Sequence, residues 1–97
     1  MKTLAFTVAA SADLNSIWDY TEAEWSVAQA QKYTTEIRDV CHALASGQKR
    51  ARATSVRAGY MKYPCGAHVV YFRDLGDMLE IVRVLHRAQD AERNLHE

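Results

Sequence analysis

The chain has 97 residues, 48% of them apolar, with two Trp and five Tyr, which is enough to fill one modest core. That content excludes intrinsic disorder, and the length fits one domain over residues 1–97. Basic and acidic side chains cancel to a net charge of zero, with a pI of about 6.9. This balance argues against a dedicated nucleic-acid binder, which is usually strongly basic, so no direct sequence-specific nucleic-acid binding is expected.

The opening, MKTLAFTVAASA, has one Lys and a short apolar stretch soon interrupted by Asp13 and Asn15, so no secretory signal is read there. No run approaches membrane-spanning length, and a cytoplasmic protein is expected. Thr3 to Phe6 reads as a short strand, and Thr7 as the N-cap of a helix. Leu14, Ile17, Trp18, Thr21 and Trp25 then recur at three- and four-residue steps, which predicts one buried helical face, with both tryptophans in the core. Ser26 opens a second helix through Ser26-Val27-Ala28-Gln29, a capping-box pattern. Its stripe is Ala30, Tyr33, Ile37, Val40, Cys41 and Leu44, and Gly47 suits the left-handed position after it. Two amphipathic helices with almost no linker predict an antiparallel hairpin.

Gln48 to Ser55 reads as a basic loop, with Lys49, Arg50 and Arg52 as a solvated cluster. Three strands follow. Pro64 and Gly66 are placed in the turn after the first of them. Ala67 to Arg73 is the second strand, Asp74 to Asp77 its hairpin, and Met78 to His86 the third. The tail from Asp90 to Glu97 can form a short helix or fray. The order β-α-α-β-β-β predicts an α+β fold with the helical hairpin on one face of a small, mostly antiparallel sheet.

The last strand is apolar on both faces. Leu79, Ile81 and Leu85 are read to one side, and Met78, Val82 and Val84 to the other. The two helices roof one side only, so a partner is expected on the other. Cys41 and Cys65 lack CxxC or metal-type spacing and read as free thiols. His42, His68, His86 and His96 are too scattered in sequence for a metal site, and no glycine-rich phosphate loop or HExxH is present. No metal and no cofactor is expected. Arg57, Arg73, Arg83, His86 and Arg87 form a basic and imidazole set on the predicted strands. Residue types alone leave three readings open: phosphate binding with proton transfer, anchoring of acidic groups on a partner, and plain surface charge.

Six pieces, in order and spacing, resemble the ParE branch of the ParE/RelE superfamily of type II toxin–antitoxin modules. They are ADLNSIWDY with Trp25, AQAQKY, VRAGY, GAHVVYFR, LEIVRVLHRAQD and Leu95, with Arg57 to Asp90 the most specific stretch. The chain departs from many relatives at Val8, where Pro is common, and in RAQD, where a Met often precedes the Asp. The resemblance implies the fold just read. It also implies a neutralising ParD-like antitoxin whose C-terminal segment wraps the toxin, and poisoning of DNA gyrase without catalysis. On this basis Arg57, Tyr60, Tyr71, Arg73, Arg83 and His86 are candidates for antitoxin or target binding. The cousin RelE branch implies an alternative, a ribosome-dependent mRNA endonuclease. Arg73, Arg83 and His86 are compatible with it. The neutral charge and the absence of a C-terminal Tyr weigh against it.

Overall fold

In the computed structural model, which describes residues 2–95, the strands form one sheet in the order β1-β5-β4-β3-β2. Strand β1 is Thr3–Phe6, followed by helices α1 (Val8–Glu24) and α2 (Val27–Ala45). Then come β2 (Arg52–Ala53), β3 (Met61–Cys65), β4 (His68–Asp74), β5 (Met78–His86) and a one-turn α3 (Ala91–Asn94). Strand β1 runs parallel to β5, and every other pairing is antiparallel. The α+β arrangement read from periodicity is therefore present.

Local chemistry sets the helix boundaries. Thr7 has an extended backbone, and its hydroxyl accepts from Ala10 N, while Ser26 does the same for Gln29 N. The buried stripe of α1 is Ala10, Leu14, Ile17 and Thr21, and that of α2 is Ala30, Thr34, Ile37, Cys41, Leu44 and Ala45. Both stripes meet Val70, Phe72, Leu79, Ile81 and Val84 of the sheet. Each large side chain fully buried here contributes about 1.5–3 kcal/mol.

The tryptophans are not the core pair that the heptad spacing suggests. Helix α1 stops at Glu24, and Trp25 leaves helical geometry at φ −129° and ψ −82°, so its ring is 76% exposed. Trp18 sits at the margin of the stripe, half-buried, with its indole N–H donating to Glu22 Oε1 at 3.1 Å.

Two corrections concern the loop and the proline. Arg52–Ala53, read as loop, pairs with β3 as a two-residue edge strand. Pro64 lies inside β3, opposite Val69, and not in the turn. Strand β2 has ended by that point, so Pro64 occupies sheet edge, where no ladder donor is required. The turn itself is Gly66-Ala67, with Gly66 at φ +60°.

The final strand carries a β-bulge. Tyr71 pairs with Arg83 but Phe72 pairs with Ile81, which leaves Val82 without a partner in β4. The extra residue reverses the alternation beyond it. Val84 therefore joins Leu79 and Ile81 under the helices, while Leu85 turns to the opposite face. This overturns the assignment of Leu85 and Val84 made by strict period-two counting. Thr7 uses the freed backbone: its N–H donates to Ile81 O at 3.0 Å and its hydroxyl to Val82 O at 2.8 Å.

The opposite face is not bare either. Tyr60, Tyr71, Leu85 and Leu95 form a second buried cluster there, joined by Val69, Val82 and Ala91. Leu85 is 1% exposed because the segment before β3 and the turn of α3 cover it. Much of the cover assigned to a partner is supplied by the chain itself.

Candidate functional site

The arginines of the sheet are held by groups of their own chain. Arg83 grips Asp13 of α1 with two hydrogen bonds, Nε to Oδ2 at 2.7 Å and Nη2 to Oδ1 at 2.9 Å. Its third nitrogen donates to Asn94 O at 3.2 Å. Asp13 also accepts from Val84 N at 2.9 Å, so one carboxylate ties α1 to β5 through three donors. The partner carboxylate raises the Arg83 guanidinium further above its ordinary value. Arg73 donates through Nε and Nη2 to Glu80 Oε1 across the β4–β5 ladder, at 3.1 and 2.9 Å. Arg57 donates to Leu95 O at 3.1 Å and lies over the Tyr60 ring, which Arg73 also approaches. Tyr60 and Tyr71 are themselves buried in the outer cluster. Of the six residues singled out from the sequence, five therefore help close the outer face of the sheet or its contact with α1. Only His86 is exposed.

His86 opens onto a different place. A cleft of about 810 Å³ lies between the tip of the helical hairpin and the ends of β4 and β5. Tyr20, Trp25, Tyr33, His68, His86 and Gln89 are among its walls. Tyr20 and Trp25, together with Val27 beside them in the turn, are the largest exposed apolar group on the hairpin, at 67%, 76% and 55% exposure. The Tyr33 hydroxyl shares a 2.6 Å hydrogen bond with His68 Nδ1 and accepts from Ala67 N at 3.1 Å. The His68 and His86 rings meet edge to face at 5.3 Å. Burial, and then the neighbouring His86, push His68 below its ordinary value, so its ring is neutral at pH 7. Burial raises the Tyr33 hydroxyl, which keeps its proton.

Sequence reasoning missed most of this cleft. Tyr33 was assigned to the core stripe and Trp25 likewise. His68 and His86 were counted among scattered histidines, yet they sit opposite each other in the β4–β5 register. The hairpin spacing carries that signal: a turn centred near residues 75–77 places 68 against 86 once the bulge is allowed for. Among the described residues no group of three or more His, Cys, Asp or Glu could hold a metal ion. His96 lies outside the described residues. Cys41 and Cys65 are free thiols, and burial pushes Cys41 up to about 12, so it is protonated and inert. No helix among the described residues is long and apolar enough to cross a membrane.

A two-helix hairpin over one face of a mostly antiparallel sheet, with a parallel first strand, makes this a small α+β domain. The chain belongs to the ParE family: the model for the ParE toxin of the type II toxin–antitoxin system parDE matches residues 4–91. It is 38% identical over 89 residues to Toxin ParE1 of Mycobacterium tuberculosis, covering 90% of this chain and 91% of that one. It is 36% identical over 96 residues to Toxin ParE1 of Caulobacter vibrioides, covering 98% and 99%. Among solved structures it resembles a chain of the chromosomal ParDE system from P. aeruginosa, with a TM-score of 0.78 at 23% identity over 89% of this chain and 96% of that one. The YoeB/ParE toxin from Agrobacterium tumefaciens shares the fold, with a TM-score of 0.58 at 20% identity over 90% and 99%. YafQ from E. coli does so as well, at 0.62 and 8% identity over 91% and 96%. The chain is a type II toxin by family.

Proposed function

We propose that this toxin acts without catalysis, by binding DNA gyrase and stabilising its DNA-cleaved state, and that a ParD-like antitoxin neutralises it. Family membership over residues 4–91 carries the reading. The internal pairing of Arg73 and Arg83 supports it, because both guanidiniums are committed to carboxylates of the fold. Supercoiling and cleavage assays with purified gyrase test it. Accumulation of cleaved DNA is expected, and unaffected supercoiling and cleavage at large toxin excess would refute the target. The antitoxin segment is expected to cover Tyr20, Trp25 and Val27 and to fill the cleft, where the apolar surface is exposed. Hydrogen exchange with and without antitoxin should show protection at the hairpin tip and the adjoining ends of β4 and β5. Protection confined to other surfaces would reject that seat.

A second reading has its own observation. His68 and His86, with Tyr33 bonded to one of them, put a neutral base and a second imidazole in one cleft, as general acid–base cleavage of RNA requires. A ribosome-dependent mRNA endonuclease would give specific cuts in primer extension on translated mRNA. Those cuts would vanish on His68→Ala or His86→Ala. Intact mRNA at toxic expression levels rules the second reading out.

A further inference from the structure

The zero net charge conceals a strong separation of charge. Residues 47–73 contain six Lys or Arg and no Asp or Glu, whereas the helical hairpin carries six carboxylates against two cations. Folding concentrates the positive part further. On the side of the sheet away from the hairpin, Lys62, Pro64, Val69 and Tyr71 share one face of the β3–β4 ladder. Arg50 and Arg52 border this face from the β2 side, and Arg87 from the end of β5, around a groove of about 650 Å³. No carboxylate lines it. Lys49 stands at its margin, over the Tyr63 ring at 5.6 Å.

Arg50, Arg52, Lys62 and Arg87 differ from the other arginines of the sheet. Arg57, Arg73 and Arg83 are spent on Leu95 O, Glu80 and Asp13. The four groove cations have no side-chain hydrogen bond or ion pair among the described residues. Four exposed cations around one groove, with no carboxylate in its lining, make a local positive potential that favours a polyanion over a single charge. They come from separate elements, and the floor between them is mixed: Tyr71 is buried, Val69 half-buried and Pro64 exposed. An acidic peptide that orders itself on binding needs apolar burial to offset its lost entropy, and Pro64 with the open edge of Val69 supplies only a small part of that. A phosphodiester backbone is already ordered, needs only cations, and gains by releasing its counterions.

We propose that the groove bounded by Arg50, Arg52, Lys62 and Arg87 binds the phosphate backbone of duplex DNA, without sequence preference. The inference rests on the gyrase reading above, in which the toxin works beside DNA held by a topoisomerase. There the groove adds contacts to the cleaved duplex that the free enzyme lacks.

The test is fluorescence anisotropy of the purified chain with a labelled DNA duplex of arbitrary sequence, without gyrase, from 50 to 200 mM salt. Binding should be independent of sequence, with a slope of log K against log salt of about −3 to −4 for four cations. Arg52→Glu combined with Lys62→Glu and Arg87→Glu should weaken binding at least about tenfold and flatten the slope. Lys32→Glu on α2 should leave it unchanged, and circular dichroism of each variant checks the fold. No binding at 50 mM salt, or equal binding by the triple variant, overturns the proposal. Preferential capture of poly-glutamate over duplex by the groove also overturns it, since the site then takes acidic polypeptide. The gyrase assays are read separately. Gyrase inhibition that persists in the absence of DNA binding refutes only this inference, and DNA binding without gyrase inhibition refutes only the target.

Discussion

Asp13 is the acid on which the contact between α1 and β5 converges. Its carboxylate accepts from two nitrogens of Arg83 and from Val84 N, and the pair is mostly shielded, at 14% and 24% side-chain exposure. Breaking a fully buried pair costs about 3–5 kcal/mol, and the residual exposure of Arg83 lowers that. Asp13→Ala is expected to cost about 2 kcal/mol in urea unfolding. Asp13→Asn should cost less, because it still accepts from Val84 N. An Asp13→Ala variant as stable as the parent would show that the pair contributes nothing. His68 gives the chain a pH dependence whose sign follows from its environment. Burial lowers its folded value below the 6.5 of an exposed histidine, so the unfolded chain takes up the proton first. Its contribution is fully present above pH 6.5 and is lost as pH falls through the folded value. The stability lost between neutral and mildly acid pH should shrink in His68→Gln. An unchanged profile would assign that loss to other groups.

At the scale of elements, the hairpin between β3 and β4 is where a single methyl group should be felt. A Cβ added to Gly66 would lie 2.9 Å from the Tyr33 ring and hydroxyl, and the backbone there is at φ +60°. Gly59 shares the left-handed backbone, at φ +82°, but faces open space. Gly66→Ala is therefore expected to cost about 1–2 kcal/mol and Gly59→Ala about 1 or less. Gly66→Ala should also shift the His68 ring resonances as Tyr33 is displaced. Equal costs would place the whole effect in the backbone angle. The elements that could be read from sequence were those decided by neighbours in the chain. Thr7 and Ser26 cap helices through residues three positions on, and β5 was bounded by turn residues and its own apolar run. Distant neighbours decided the rest. The bulge at Val82 is stabilised by Thr7, 75 residues away, and it reversed which face Val84 and Leu85 occupy. Strand β2 is two residues long and exists only because β3 lies beside it. Trp25 kept the heptad spacing, but the helix ended one residue before it. For the candidate site, the arginines were found and their purpose was not, because no spacing in sequence reveals that Asp13 and Glu80 await them.

At the scale of the whole molecule, the sheet is closed by its two most distant strands. Thr3 to Phe6 pair in parallel with Met78 to Ile81, and Leu4 and Phe6 pack against the helical core. A chain lacking residues 1–6 should lose cooperative thermal unfolding, since both the edge of β5 and the Thr7 entry to α1 lose their support. A sharp transition in that truncation would show that the remaining four strands suffice. The position of β5 has a consequence for synthesis. Of the five described strands it is the last to be made, yet β1, β4 and both long helices rest on it. Domains form as they are made only when their contacts lie close behind the point of synthesis. Here the helical hairpin and four strands must wait, half-assembled, for residues 78–86. A truncated message, or a stalled ribosome, would thus yield a fragment without a folded surface and so without toxicity. The interval before β5 appears gives a partner time to meet the chain before it is complete.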